Sequence, residues 1–201
     1  MLLKVLIGLA VTYGLVLIAG YSLQRRLLYP AAPQHVSPQE AGLRDVSELR
    51  IDAPDGQNVV AWYGKARPGQ PTLLYFHGNG GSLVGRTPRI ERFMAEGWGV
   101  FMMTYRGYGG STGMPTETDN IADAVRAYDR LASLGVPERD VVLYGESLGT
   151  GVASRVALQR RAAGLILDAP YTSIPDVGAR QFWFLPVRLF MRDRGIGRVQ
   201  Y

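Results

Sequence analysis

The chain has 201 residues, a length suited to one ordinary domain or to a slightly smaller domain with an appendage. Hydrophobic residues make up 47% of it, which is enough for a sizeable core. Its formal net charge is +5, but no run of lysine and arginine with interleaved aromatic residues is present, so nucleic acid is not an expected partner. Scattered basic residues suit a mild attraction to anionic membrane surfaces. With no cysteine in the sequence, disulfides, thiolate zinc sites and a cysteine nucleophile are excluded.

Residues 1–26 differ in composition from the rest of the chain. The stretch Val5–Tyr21 carries no charge, with Lys4 before it and Arg25–Arg26 after it. Because about 20 apolar residues span a bilayer as a helix, this pattern predicts an uncleaved, single-pass membrane anchor. The alternative is a cleaved signal peptide and a secreted protein, although residues 17–20 form only a passable cleavage site. The flanking charges nearly balance, so the side of the membrane that the rest of the chain faces stays open.

Residues 27–43 contain three prolines and no sustained periodicity, which predicts a juxtamembrane linker. His35 lies in this linker and is expected to be a solvated side chain rather than a ligand. The remaining residues, 44–201, are predicted to form one domain.

Strands and helices alternate along this domain. The turn Asp55–Gly56 is expected to join the first two strands as an antiparallel hairpin. Thr116 and Asp119 resemble a capping pair at the start of the clearest helix. Strands are predicted at 46–51, 59–63, 72–76, 98–104, 140–144 and 163–168, and helices at 86–96, from 116 onward and after 149. In the helix that begins at 116, apolar residues recur at helical spacing: Ile121, Val125, Tyr128 and Leu131. In the helix after 149, the residues expected on the buried face are Val152, Val156 and Ala157.

This alternation predicts an α/β fold with a mostly parallel central sheet and helices on both faces. In such sheets the active site lies at the carboxyl ends of the strands. The loops after Phe76, Thr104 and Tyr144 all leave strands at that edge, and each carries chemically suggestive residues.

The segment Gly145–Gly149 reads Gly-Glu-Ser-Leu-Gly and directly follows a buried strand. A serine on a sharp turn from strand to helix has the geometry called a nucleophile elbow. Ser147 is therefore the candidate nucleophile. Glu146, the variable residue of the motif, is expected to shape the turn or a neighbouring helix.

A second glycine-rich loop, His77–Gly81, follows the strand that ends at Phe76. Its backbone N–H groups can point at the oxygen of a carbonyl under attack, and the N–H of Leu148 would be the other donor of such an oxyanion hole. We expect the first donor to be Asn79, with Gly80 next. The alternative is a turn between strand and helix with no catalytic role.

Taken together, these residues resemble the α/β-hydrolase superfamily, and most of all its membrane-anchored alpha/beta-hydrolase-domain-containing branch. The resemblance implies a serine hydrolase that attacks esters, thioesters or amides of small or lipid-like acyl groups through an acyl-enzyme on Ser147. No cofactor is implied, since the sequence has neither metal-ligand spacing nor a nucleotide-binding glycine string. The motifs that carry the resemblance are 24–30, 77–80, 105–111, 145–149, 168–173 and 184–187.

One part of the family pattern is missing. These hydrolases order their triad as serine, then an acid, then histidine. Both histidines of this chain, His35 and His77, precede Ser147. The resemblance therefore predicts a chain truncated at its carboxyl terminus, with an incomplete hydrolase domain that lacks the last two strands, and with little or no activity. The change in character over Arg192–Arg198 agrees with this expectation.

Substitutes for the missing groups are weak. Asp168 ends the strand after the elbow and is a possible acid, but a turn residue is the favoured interpretation. His77 is expected to hold its loop rather than to act as a base. Tyr105 and Arg106 are expected to fix their own loop at the pocket rim.

Two further expectations follow from the resemblance. The apolar strand 165–167 would become an exposed sheet edge, which invites aggregation. Residues 182–192 would be part of a lid-like segment, would settle on a membrane surface, or would pack against the domain. The rival to a hydrolase is a non-catalytic, membrane-anchored protein that binds acyl ligands on a degenerate hydrolase fold.

Overall fold

A computed structural model describes residues 1–193 of the chain. Most of the segment Arg192–Arg198, whose composition departs from the family pattern, therefore lies outside the described residues. The strands are Val46–Asp52 (β1), Asn58–Gly64 (β2), Thr72–Phe76 (β3), Gly99–Met103 (β4), Val141–Glu146 (β5) and Gly164–Asp168 (β6). The helices are Leu2–Leu28 (α1), Thr87–Ala95 (α2), Glu117–Ser133 (α3), Leu148–Ala157 (α4), Ile174–Gln181 (α5) and Val187–Phe190 (α6).

The six strands form one mostly parallel sheet in the order β1-β2-β4-β3-β5-β6. The predicted hairpin of β1 and β2 is present and antiparallel, and β2 also pairs antiparallel with β4. The pairs β3–β4, β3–β5 and β5–β6 are parallel. Phe76 lies in register with Met103 on one side and Gly145 on the other, so the three loops of interest leave the sheet at one edge, as predicted.

Helices cover both faces of the sheet. On one face α3 and α4 pack against alternate residues of the central strands, such as Leu74 and Leu143. On the other face Ile90 of α2 packs against the intervening residues, among them Tyr75 and Met102. All five residues of β3 and of β4 are buried, which explains why both strands read as continuous apolar runs.

Local signals in the sequence account for the helix positions. Thr116 caps α3, with its side-chain oxygen accepting a hydrogen bond from the Asp119 N–H at 3.0 Å. The α2 prediction is right to within a residue at each end once the short 3₁₀ turn Val84–Arg86 is separated from it. One expected core residue is wrong: Ala157 is exposed because α4 ends there, and Ala153 is buried instead.

Within the described residues, α1 is the one helix long and apolar enough to cross a membrane. It continues two residues past the expected boundary at 26 and ends at Leu28, because Tyr29 precedes Pro30 and a residue before proline disfavours the helical conformation. The following segment runs over the surface of the domain, where the N–H of Gly109 donates to the Ala32 carbonyl at 2.8 Å. His35 is solvent-exposed and lies 2.7 Å from a carboxylate oxygen of Glu48.

Candidate active site

The backbone at Ser147 is forced into a conformation that side chains rarely adopt. Its φ is 48° and its ψ is −113°, and a positive φ at a non-glycine residue is uncommon and strained. Both motif glycines are required for this turn. A Cβ at Gly145 would lie 2.4 Å from the Gly149 carbonyl oxygen, and one at Gly149 would lie 2.0 Å from the Phe76 carbonyl oxygen. The helix and β3 therefore approach each other too closely for any side chain.

Hydrogen bonds fix the elbow at both ends. The N–H of Ser147 donates to the Asp168 carbonyl at 2.8 Å, which ties the turn to β6. The Ser147 carbonyl accepts from the N–H of Thr150 at 2.9 Å and from its hydroxyl at 2.7 Å. Leu148 is the first residue of α4, so its N–H has no partner within the helix.

The glycine-rich loop after β3 is held by its carbonyl groups. Side chains from the neighbouring loop and from the segment before α2 bind these carbonyls: Tyr105 donates to His77 at 2.8 Å, Tyr108 to Asn79 at 2.9 Å and Arg86 to Gly80 at 2.9 Å. Among the backbone hydrogen bonds of residues 1–193, the N–H groups of Asn79 and Gly80 donate none. Because the carbonyls are restrained, the orientation of these free N–H groups is restrained as well.

His77 is completely buried and lies against two aromatic rings. Its ring centroid is 4.5 Å from that of Tyr105 and 5.6 Å from that of Tyr108. Nδ1 lies 2.6 Å from the Gly78 carbonyl oxygen, and Nε2 has no partner among the described residues. Burial, together with the nearby charge of Arg86, lowers the pKa of His77 to about 4, so the ring is neutral near pH 7. This placement suits a residue that supports the loop.

The side chain of Glu146 lies on the face of the sheet covered by α2. The Tyr75 hydroxyl donates to its carboxylate at 2.6 Å, and Arg86 lies 3.4 Å from the same oxygen. Burial opposes ionisation of Glu146, but the hydrogen bond from Tyr75 and the charge of Arg86 outweigh it and leave the pKa of Glu146 below its usual range. Glu146 thus links the elbow to the segment before α2.

Asp168 lies on the same face. Its carboxylate accepts from the Tyr144 hydroxyl at 2.9 Å and from Arg89 at 3.3 Å. The predicted site residues are therefore only partly brought together. Asn79, Ser147 and Leu148 line one cavity, whereas Gly80 and Asp168 do not.

That cavity encloses about 310 Å³ and is mostly apolar. The carboxyl-terminal half of α1 forms one wall, the segment 174–191 forms another, and the elbow with Tyr171 completes it. The α1 residues that line it are Val16, Leu17, Gly20, Tyr21, Gln24, Leu27 and Leu28.

Two parts of this site escaped the sequence analysis. The contribution of α1 to the cavity rests on contacts between distant parts of the chain, and Gln24, a polar residue in an apolar helix, was the one signal that pointed to them. The role of Tyr108 was also missed, although it lies in the same loop as Tyr105 and Arg106. Arg106 is buried and pairs with Asp123 at 2.8 Å, as expected for a residue that fixes this loop.

Comparison with known proteins decides the family. Residues 68–192, more than half of the chain, match the family model described as serine aminopeptidase, S33, a family of hydrolases. The chain belongs to this α/β-hydrolase family. The matched range includes both the elbow at Ser147 and the glycine-rich loop after β3, so both motifs lie within the domain that defines the family.

Relatives of this chain come from organisms as different as a bacterium, a yeast and a fish. The uncharacterized protein Rv2307c of Mycobacterium tuberculosis is 34% identical over 176 residues, covering 86% of this chain and 63% of its own length. Protein bem46 of Schizosaccharomyces pombe is 34% identical over 169 residues, covering 78% and 56%. The lysophosphatidylserine lipase ABHD12 of Danio rerio is 28% identical over 165 residues, covering 69% and 43%. The chain therefore spans less than two thirds of each of these relatives.

Solved structures of other proteins share the fold of this chain. A Pyrococcus furiosus esterase, Pf2001, superimposes with a TM-score of 0.62 at 23% identity, covering 81% of this chain and 65% of the esterase. An alpha-beta hydrolase from Vibrio vulnificus gives a TM-score of 0.66 at 21% identity, covering 78% and 60%.

Proposed function

We propose that residues 44–201 carry the nucleophile half of a serine hydrolase site and that Ser147 is the nucleophile. The observation that carries this proposal is the strained elbow itself, which places Ser147 at the wall of a formed apolar cavity. Strain of this kind persists only where the surrounding structure imposes it, and it concentrates at active sites. Residues 1–26 anchor this domain to a membrane, and residues 27–43 connect the two.

The oxyanion hole is formed by backbone N–H groups. The free N–H of Leu148 at the start of α4 is one donor, and that of Asn79 is the other, with Gly80 as the neighbouring candidate. The macrodipole of α4 adds to the stabilisation, because its positive end lies at the elbow. No cofactor is needed for this chemistry.

The substrate is an ester, thioester or amide with a lipid-like acyl group. The cavity beside Ser147 is lined mainly by leucine, valine, isoleucine and phenylalanine, with few polar groups to bind a charged or hydrophilic acyl chain. A relative that carries the name lysophosphatidylserine lipase supports a lipid substrate.

Among residues 1–193, no histidine forms a hydrogen bond with Ser147. The sequence contains two histidines, and His35 is exposed on the surface while His77 is buried under two tyrosines. Asp168 is bound to Tyr144 and Arg89 instead of a histidine. We therefore expect this chain alone to hydrolyse esters poorly, because removal of a triad member leaves a residual rate only about a thousandfold above water.

Added imidazole can test both halves of this proposal, since a small base can enter an open site and accept the serine proton. We expect the protein in detergent micelles to hydrolyse p-nitrophenyl decanoate slowly and to accelerate at least about tenfold, saturably, as imidazole is added. The Ser147→Ala variant should show only the rate of imidazole in solution. Fast Ser147-dependent turnover without imidazole would show that a base is already present and would contradict the inactivity of this chain.

The absence of a base at Ser147 favours one second candidate, a membrane protein that binds acyl ligands without cleaving them. The same experiment separates the two. A folded protein that binds the ester but shows no Ser147-dependent turnover at any imidazole concentration would be a binding protein, and the hydrolase proposal would fall.

A further inference from the structure

Helix α1 is docked through polar contacts onto residues 184–192. The Tyr13 hydroxyl donates to the Phe184 carbonyl at 3.0 Å. The side chain of Gln24 makes two bonds, donating to the Phe190 carbonyl at 3.4 Å and accepting from the Arg192 N–H at 2.9 Å. These bonds join residues more than 160 positions apart, so α1 has a defined place against the segment that contains α5 and α6.

One face of α1 is partly buried by this docking. Apart from Arg25, the partly buried positions of α1 recur every three or four residues, which is the spacing of a single helix face: Gly14, Leu17, Gly20, Gln24 and Leu28. From Leu17 onward these residues line the cavity that also contains Ser147. A helix that served only as an anchor would need no such face.

The segment docked on α1 exposes large apolar side chains next to it. Trp183 is 82% exposed and Leu189 is 72% exposed, and Phe184 and Phe190 are each about half exposed. Tyr13, which binds the Phe184 carbonyl, lies in the middle of the uncharged stretch of α1, and such a stretch occupies the hydrocarbon region when the helix spans a bilayer. When α1 spans a bilayer, Phe184 and the adjacent Trp183 therefore lie at the depth of the lipid acyl chains, where exposed apolar side chains are favoured over polar ones.

We propose that α1 is a wall of the acyl-binding site and that the Ser147 cavity receives a single-chain amphiphile directly from the membrane leaflet, between α1 and the segment 182–191. A cavity of about 310 Å³ lies at the lower end of the roughly 300–1,000 Å³ found for small-molecule sites, which suits one acyl chain rather than two. Asn79 and Ser147 supply the polar side chains near the reacting end. The role of Ser147 in this site rests on the proposed function, whereas the binding of the acyl chain does not.

Gly20 offers a direct test of the wall. A Cβ at Gly20 meets nothing within 4 Å, and the residue lines the cavity, so Gly20→Leu places a side chain into the space meant for the acyl chain. Gly8→Leu is the matched control: its Cβ is equally unobstructed, and it lies on the same helix away from the cavity. Both variants are made in the Ser147→Ala background and reconstituted in phosphatidylcholine nanodiscs.

The probe is palmitic acid with a diazirine next to its carboxyl end, and the readout is its photocrosslink to Tyr171, which lines the cavity beside the elbow and far in sequence from α1. We expect Gly20→Leu to lower this crosslink about tenfold while Gly8→Leu keeps the parent level, with all three proteins unfolding at the same temperature. An unchanged crosslink in Gly20→Leu, or an equal loss in both variants, would overturn the proposal.

The depth of the segment 182–191 is tested by fluorescence. The chain has three tryptophans, of which Trp62 is buried and Trp98 stacks on Phe93 on the face of the sheet covered by α2. We expect brominated phosphatidylcholine to quench the parent and Trp98→Phe, and to quench Trp183→Phe much less. If Trp183→Phe is quenched as strongly as the parent, the segment 182–191 lies outside the bilayer and the proposed entry route is contradicted.

The outcomes separate this inference from the proposed function. Loss of the crosslink in Gly20→Leu with no Ser147-dependent turnover would leave the lipid site standing and remove the hydrolase. If Ser147-dependent turnover of a long-chain ester is unaffected by Gly20→Leu, the hydrolase proposal stands and the lipid site at α1 falls.

Discussion

At the scale of single residues, the elbow and the loop beside it are held by different means. Ser147 depends on the absence of side chains at Gly145 and Gly149, where a Cβ would collide with backbone atoms. The loop after β3 depends on the presence of side chains, because tyrosine and arginine groups bind its carbonyls. His77, the first residue of that loop, is buried and neutral near pH 7.

The burial of His77 predicts a specific dependence of stability on pH. Its pKa is about 4 in the folded protein and about 6.5 when unfolded, so as pH falls through this window the unfolded chain binds a proton that the folded chain does not. The stabilisation is fully present above about pH 6.5, and the free energy of unfolding should decrease by up to about 3 kcal/mol as pH approaches 4.

Urea unfolding of the parent and of His77→Gln over this range measures that contribution, because carboxylates that titrate nearby, such as Glu146, are common to both proteins. The free energy of unfolding should change less steeply with pH in His77→Gln than in the parent. The matched control is His35→Gln, a change at the exposed histidine, which should keep the slope of the parent. Equal slopes in the parent and His77→Gln would show that His77 does not hold a depressed pKa in the folded state.

At the scale of secondary-structure elements, β6 is the exposed edge that the sequence analysis predicted. Within residues 1–193 it pairs with β5 on one side only, and Leu165 and Ile166 are each 42% exposed. An apolar edge strand with unpaired backbone groups is a template for pairing with another chain.

We expect Ile166→Lys to weaken self-association of the protein about tenfold, because a charged side chain on an edge strand opposes pairing with a second edge. Leu158→Lys is the control, since Leu158 is 66% exposed but lies after α4 and outside the sheet. Sedimentation velocity in detergent measures the self-association of both variants and of the parent. Equal effects of the two substitutions would show that association depends on exposed apolar area in general.

The elements that could be predicted are those with local causes. The apolar runs of β3 and β4, the cap at Thr116 and the glycines around Ser147 each act within a few residues, and the structure has them where the sequence indicated. The wall formed by α1 could not be predicted, because it depends on contacts such as that of Tyr13 with Phe184, across 171 positions.

At the scale of the whole molecule, four separate parts of the chain meet at one cavity. Helix α1, Asn79 of the loop after β3, the elbow and the segment that follows β6 each contribute lining residues. The family match over residues 68–192 covers the elbow and most of the sheet, and α1 lies outside that range. Its hydrogen bonds to Phe184, Phe190 and Arg192 join α1 to the candidate active site.

The most direct test of the central claim is labelling with an alkyl fluorophosphonate, which reacts with a serine activated by a base and an oxyanion hole. We expect the parent to label weakly, to label strongly when imidazole is added, and to lose all labelling in Ser147→Ala. Labelling that persists in Ser147→Ala, or a folded parent that imidazole cannot activate, would contradict the assignment of Ser147 as the nucleophile.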